Sequence, residues 1–246
     1  MKNVHLTAAD FLEMLHIDPN TFGKYVITPG QRERLQYLQE FIEEPQRLFD
    51  VYGYEAYSGM FNGKKVTACN GGMYAPEAAI ATEIFCAAGA EYVIRTGSCG
   101  GISKDVEIGD IIIATGAIRG EGTTPYYVPE GYPAIADFGI TGALIKAAEK
   151  LGVKYHTGLV WTTDAMLRET KELVEKMSGL GVKAVDMVTS SMLVVSQLYQ
   201  RKAGVVLAVS DNLVKGEMGF MDERYYTAER NIIHIALEAV KALGEE

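Results

Sequence analysis

The sequence predicts a single α/β domain over residues 1–246, built on a mixed, largely parallel sheet bent towards a barrel and flanked by α-helices. Short apolar runs rich in β-branched residues alternate with stretches of helical periodicity along the whole chain. Those runs end at glycine- or proline-bearing turns, and no linker, repeat or low-complexity tract breaks the alternation.

Residues 7–20 carry a short helical pattern. Lys24 to Thr28 then read as a strand that stops at Pro29-Gly30, and Gln31-Arg32-Glu33-Arg34 opens a helix. A glycine turn between strand and helix presents amides at a helix N-terminus, a placement that favours anions. Read alone, Arg32 and Arg34 are equally well solvated surface charges. Phe49 to Phe61 and Lys64 to Asn70 form a hairpin turning at Asn62-Gly63. Gly71-Gly72-Met73-Tyr74-Ala75-Pro76 is a loop of small residues whose proline starts an apolar helix ending near Ala88.

Tyr92-Val93-Ile94 reads as a buried strand that stops at Arg95 and opens into the loop Thr96-Gly97-Ser98-Cys99-Gly100-Gly101. Its glycines permit positive φ and close approach, so successive N–H groups can cradle an anion, with Ser98 adding a hydroxyl. Arg95 supplies a forked charge suited to phosphate or sulfate. The plain alternative is a strand-to-loop turn with a solvated arginine. The end of a strand is nevertheless where open α/β sheets bind ligands.

Gly109 to Gly116 is an isoleucine-rich strand buried on both faces. Arg119 to Phe138, with Tyr126, Tyr127, Pro129, Tyr132 and Pro133, is too long and aromatic for a simple connector and is expected to be a lid or a subunit contact. A helix over Gly139–Leu151, a strand over Tyr155–Thr163 and a helix near Glu169–Met177 follow. Lys183 to Val185 forms a short strand into Asp186-Met187-Val188-Thr189, which begins an apolar helix ending near Tyr199. Ala203 to Val209 is a strand with Ser210-Asp211-Asn212 at its edge, and Glu223 to Leu243 is the closing helix.

Composition narrows the function. A 48% hydrophobic, 22% charged chain is globular, and a net charge of -9 argues against nucleic acid as a partner. The start Met1-Lys2-Asn3-Val4-His5 lacks the apolar core of a signal peptide, and no long apolar run marks a membrane span, so the expected compartment is the cytoplasm. Cys69, Cys86 and Cys99 are odd in number and without metal spacing, which predicts reduced, buried thiols and no metal site.

Pro29-Gly30 with Arg34, then Ile94-Arg95-Thr96-Gly97-Ser98-Cys99-Gly100, Val185-Asp186-Met187, and Ser210-Asp211 with Glu223-Arg224 resemble the hexameric branch of the purine nucleoside and uridine phosphorylase family, in order and spacing along nearly the whole chain. The resemblance implies phosphorolysis of a nucleoside to free base and ribose 1-phosphate, with inorganic phosphate as co-substrate and no cofactor. It implies a homo-oligomer built from dimers, expected to be a hexamer. Carried across residue by residue, Gly30, Arg34, Arg95 and Ser98 match the phosphate site. Met187 matches a methionine under the ribose, beside Asp186 and Val188. Asp211, next to Ser210, matches the acid that protonates a purine at N7, and Arg224 the arginine that assists it. His5 matches a histidine reaching the 5′-hydroxyl in a neighbouring subunit, and Met166 falls where an aromatic residue often lies against the base. Read from its own neighbourhood, Asp211 could equally cap a loop through its own backbone.

Departures from the pattern matter too. Gly-Asp-Pro becomes Gly30-Gln31-Arg32, and a phosphate arginine contributed across the dimer falls at Tyr52, leaving Arg32 or Arg119 to replace it. The second glutamate of Val-Glu-Met-Glu, which holds the ribose hydroxyls, is Val188. Valine accepts no hydrogen bond, so weak ribonucleoside turnover, a deoxysugar preference or binding without turnover is expected. Thr170 and Glu172 stand where the pyrimidine branch has its Gln-x-Arg pair, which favours a purine, with Tyr126, Tyr127 or Tyr132 as substitutes for the aromatic at Met166. A water-using nucleosidase and a nucleoside-binding protein are the competing readings.

Overall fold

The computed structural model describes residues 5–244. Their order is α1 (Ala8–Met14), β1 (Tyr25–Pro29), α2 (Arg32–Gln39), β2 (Glu43–Val51), β3 (Tyr54–Phe61), β4 (Lys64–Cys69), α3 (Ala75–Ala87), β5 (Tyr92–Gly101), β6 (Ile111–Gly120), β7 (Ala134–Ile135), α4 (Phe138–Leu151), β8 (Tyr155–Thr163), α5 (Lys171–Gly179), β9 (Ala184–Asp186), α6 (Thr189–Leu198), β10 (Lys202–Asn212), β11 (Glu217–Met218) and α7 (Glu223–Ala242). All the strands belong to one mixed sheet. β10 pairs with both β5 and β6, β8 with both β6 and β9, and β9 with β5, so these five strands close into a ring. β1, β4, β3 and β2 extend from β5 as an open wing.

Alternation along the central strands supplies both faces of the core. Val93, Val205 and Leu207 enter one apolar cluster with α3 and α6, whereas Ile94, Val206 and Ala208 enter another with α4 and α7. This period of two explains why nearly every residue of β10 is buried.

Two expectations from the sequence are corrected here. The stretch after Arg95 is strand, because β10 pairs with β5 in parallel from Tyr92 to Gly101, and β9 joins at Gly100 and Gly101. Neither these two glycines nor Gly97 takes positive φ, so they give close packing rather than a looped amide cradle. A Cβ on Gly97 would stand 2.9 Å from Leu207 Cδ2 and 3.0 Å from Arg95 Nη2. The single hairpin is in fact two. Tyr52-Gly53, with φ of 51° and 86°, turns β2 into β3, just as Asn62-Gly63, at 50° and 74°, turns β3 into β4. Charged, proline-bearing β2 is legible only as an edge strand.

The long connector is ordered from within. Arg119 donates to Thr124 Oγ1 and to the carbonyls of Val128, Pro129, Glu130 and Tyr132, while buried Glu121 accepts from the amides of Thr123 and Thr124. The cysteines are free and buried, and burial pushes their thiols up, that of Cys86 to about 12.

Candidate active site

The residues expected to hold phosphate converge at the C-terminal end of β1 and the middle of β5 beside it. Gly30 follows β1, Arg34 lies in the first turn of α2, and Arg95 and Ser98 are on β5. Gly30 is small enough for the wall it touches: a Cβ there would lie 3.2 Å from the Gly72 carbonyl and 3.8 Å from Arg95 Nη2. Arg34 Nη1 donates to the Thr96 carbonyl at 3.4 Å and Nη2 to Ser98 Oγ at 3.3 Å. Arg95 Nη1 reaches the Gly72 carbonyl at 3.4 Å. Both guanidinium groups are buried, at 6% and 5% exposure. Each carries five N–H donors, and the bonds just named are long, so most of that capacity is unused among the described residues. Burial lowers the Arg95 pKa to about 10, Asp186 opposes the fall, and neighbouring Arg34 adds to it.

Two carboxylates hold these cations in place. Glu229 Oε1, on α7, lies 3.0 Å from Arg34 Nε and accepts from Tyr225 Oη at 2.8 Å. Asp186 Oδ2 lies 3.9 Å from Arg95 Nε, but its oxygens are already occupied by the Thr162 hydroxyl and by the amide and hydroxyl of Thr189. Asp186 thereby caps α6, a task its neighbour Val188 cannot do. Glu229 and Tyr225 were not singled out from the sequence. Their only signal is their placement on the buried stripe of α7.

Asp211 stands at the far end of β10, where the register with β5 slips across Ser210 between Val209 and Asp211. Such a bulge re-aims a side chain, here placing Asp211 Oδ2 3.2 Å from where a Cβ on Gly100 would be. Desolvation raises the Asp211 pKa, and the Ser210 hydroxyl, donating to Oδ1 at 2.6 Å, opposes the rise. Ser210 also donates to the Cys99 carbonyl, which ties the acid's support to β5. Met187 is half-buried between buried neighbours, Val188 is buried in the apolar cluster of α6, and Met166 is exposed beyond β8.

Several expected members are placed elsewhere. Arg224 is not brought to Asp211: its guanidinium forks onto Asp222, the N-cap of its own helix and the nearest carboxylate, at 2.7 Å from Nη2. Arg32 pairs with Asp50 at 3.0 Å and Arg119 is spent inside the long connector, so neither stands in for the arginine absent at Tyr52. Tyr52 itself is an exposed turn residue. Tyr127 donates to Glu83, Tyr132 packs on the core, and Tyr126 faces outward at 92% exposure, so none covers a base in this chain. His5 is exposed at the edge of the described residues and has no hydrogen bond to the pocket.

A closed α/β ring beside under-bonded buried arginines, with a desolvated carboxyl at the end of β10, is suited to group transfer involving a small oxyanion. A family model described as the phosphorylase superfamily matches residues 24–241. The chain belongs to this superfamily and is a nucleoside phosphorylase, a pentosyltransferase. It is 34% identical over 240 residues to a uridine phosphorylase of Thermococcus kodakarensis, covering 92% of this chain and 84% of that protein. It is 31% identical to a DeoD-type purine nucleoside phosphorylase of Shewanella loihica, covering 99% and 100%, and 29% identical to a guanosine phosphorylase of Halorubrum lacusprofundi, covering 93% and 98%. The crystal structure of a uridine phosphorylase from Vibrio fischeri complexed with 6-hydroxy-1-naphthoic acid superposes with a TM-score of 0.86 at 28% identity, covering 94% of this chain and 99% of that one. The relatives therefore divide over the base they are named for.

Proposed function

We propose that this chain cleaves purine nucleosides with inorganic phosphate, giving the free base and a pentose 1-phosphate, with no metal or organic cofactor. The observation that carries this is the separation of tasks across one sheet: unused guanidinium donors at the end of β1 and within β5, and a desolvated carboxyl at the end of β10.

Gly30, Arg34, Arg95 and Ser98 hold the phosphate beneath the sugar. A phosphate oxygen bonds to C1′ as the C1′–N9 bond breaks, and the electron pair of that bond passes to the base. Asp211 delivers its proton to N7, so negative charge does not accumulate on the purine. Arg224 assists by exchanging Asp222 for Asp211 when substrate is present.

Purine over uracil is supported by the fate of the two residues at the pyrimidine-reading positions. Thr170 accepts from the Leu173 amide as the N-cap of α5, and Glu172 is an exposed acid in that helix's first turn. On the sugar side, buried Val188 offers no acceptor, which supports preference for a 2′-deoxyribose over a ribose. His5 and the missing positive charge at Tyr52 belong to a dimer-based assembly, proposed as a hexamer, with Met187 under the sugar and Met166 at the base.

The test is base release from inosine, 2′-deoxyinosine, adenosine and uridine, each with and without phosphate. Phosphate-dependent release from the purine nucleosides alone is expected. Release without phosphate would mark a hydrolase, and release from uridine alone would move the protein to the pyrimidine branch.

A further inference from the structure

The end of β10 that carries Asp211 has little sheet to hold it. Pairing with β6 stops at Ala208 opposite Ile111, and beyond the slip at Ser210 only two pairs with β5 follow, Asp211 with Gly100 and Asn212 with Gly101. β11 adds two more through the exposed residues Glu217 and Met218. The Asp211 carboxyl itself takes a hydrogen bond from Ser210, its neighbour in the chain.

Asn212 supplies what the sheet lacks. Successive strand residues point to opposite faces, so its side chain turns away from that of Asp211. It is fully buried, with Nδ2 donating to the carbonyls of Ser103 at 3.0 Å and Val106 at 2.9 Å, and Oδ1 accepting from the Lys215 amide at 2.9 Å. A Cβ on Gly101 would stand 3.2 Å from Nδ2, so the glycine opposite leaves room for this amide. The bonds tie the strand end to the turn 103–110 on one side and to the segment leading into β11 on the other. That turn is itself fixed: the Gly109 amide donates to the Val209 carbonyl at 2.9 Å, the Val209 amide to the Asp110 carbonyl at 3.0 Å, and the Asp110 carboxylate pairs with Lys154 at 2.7 Å. An apolar side chain would fill the same space, but only an amide binds two carbonyls and an N–H at once, and so fixes the rotation of the strand end as well as its depth.

We propose that Asn212 is a positioning residue for the purine acid: by fixing the backbone at the end of β10 it sets the direction in which the Asp211 carboxyl presents its proton. This rests on the reading of Asp211 as the acid of a phosphorolysis. The proton must come within hydrogen-bond reach of N7, and a misplacement of about 1 Å costs about 10²-fold in rate. Releasing the clamp also lets water reach the carboxyl, which removes part of the desolvation that raises its pKa.

The experiment uses two substrates that differ in their need for the acid. Inosine requires a proton at N7 as its base departs. 7-Methylinosine already carries a methyl group and a positive charge there, so its base takes the electron pair of the C1′–N9 bond and leaves neutral with no proton transferred. Values of kcat and KM for both are measured at saturating phosphate in the unmodified chain, in Asn212→Ala and in Asp211→Asn. Both variants are expected to lose kcat on inosine, Asn212→Ala by about 10²-fold, while turnover of 7-methylinosine stays near that of the unmodified chain. The alkaline limb of the inosine profile moves to lower pH in Asn212→Ala. Both substrates are read on one preparation, so their ratio does not depend on the fraction folded. Asn212→Ser, which keeps one hydroxyl in place of the amide, gives the same comparison with a smaller loss if the alanine variant does not fold. An Asn212 variant that loses both substrates alike, or neither, while Asp211→Asn loses inosine alone, overturns the proposal and leaves phosphorolysis intact. If Asp211→Asn also treats the two substrates alike, the acid reading fails, and the role of Asn212 fails with it.

Discussion

Glu229 Oε1, on α7, lies 3.0 Å from Arg34 Nε, with the arginine buried and the carboxylate half-buried. The carboxylate holds the guanidinium in place and offsets its charge, which in the proposed phosphate site matters most when the anion is absent. Replacing Glu229 with Gln leaves a buried cation uncompensated, which costs about 1–3 kcal/mol. Phosphate restores that compensation. Thermal melts across a phosphate series should show Glu229→Gln melting lower without phosphate and gaining more from it than the unmodified protein. Equal gains in the two proteins would refute this account of the pair.

Arg95 tests the anion pocket from its other side. Arg95→Met removes a buried donor while Asp186 keeps its bonds to Thr162 and Thr189. Losing one such donor costs about 10²–10³ in rate, and the loss should fall on kcat/KM for phosphate. Initial rates at varied phosphate measure it, and a wild-type phosphate dependence would exclude Arg95 from the site.

Asp211 couples activity, stability and pH. Its folded pKa is raised, so the folded protein holds this proton to higher pH than the unfolded chain does. Stability therefore falls as pH rises from the ordinary aspartate value through the raised one, and activity on purine nucleosides falls with it as the acid ionises. Asp211→Asn should lower turnover by about 10²–10⁴ and raise the melting temperature above neutral pH. Ser210→Ala removes the bond that favours the ionised form, so the alkaline limb of the rate profile should move to higher pH. A limb that stays put, or moves down, shows that another group sets it.

Arg224 is held by Asp222 in this chain. If it must change partners to assist Asp211, Asp222→Ala frees it and should raise turnover, whereas Arg224→Ala lowers it. Steady-state kinetics of the two variants give the answer; turnover that is equal in both excludes Arg224 from the reaction.

Val188→Glu places there the residue type that the family resemblance assigns to the sugar hydroxyls. The ratio of efficiencies on inosine and 2′-deoxyinosine should rise by about tenfold, the worth of one hydrogen bond made in a buried site. An unchanged ratio would show that Val188 does not face the sugar.

The sequence by itself determined the alternation of strands and helices, the tight turn at Asn62-Gly63, and the identity of Gly30, Arg34, Arg95, Ser98 and Asp211 as candidates. Those signals are local: apolar periodicity, glycine and proline punctuation, and motif spacing all act within a few residues. Only the tertiary structure decided that the stretch after Arg95 is strand, because that depends on β10 and β9 pairing with it from more than eighty residues away. Tertiary contact also spent Arg119 on the long connector and Arg224 on Asp222, and brought Glu229 to Arg34. A charge's partner is set by which side chains fold within a few ångströms of it, and in water at sequence level every such charge looks alike.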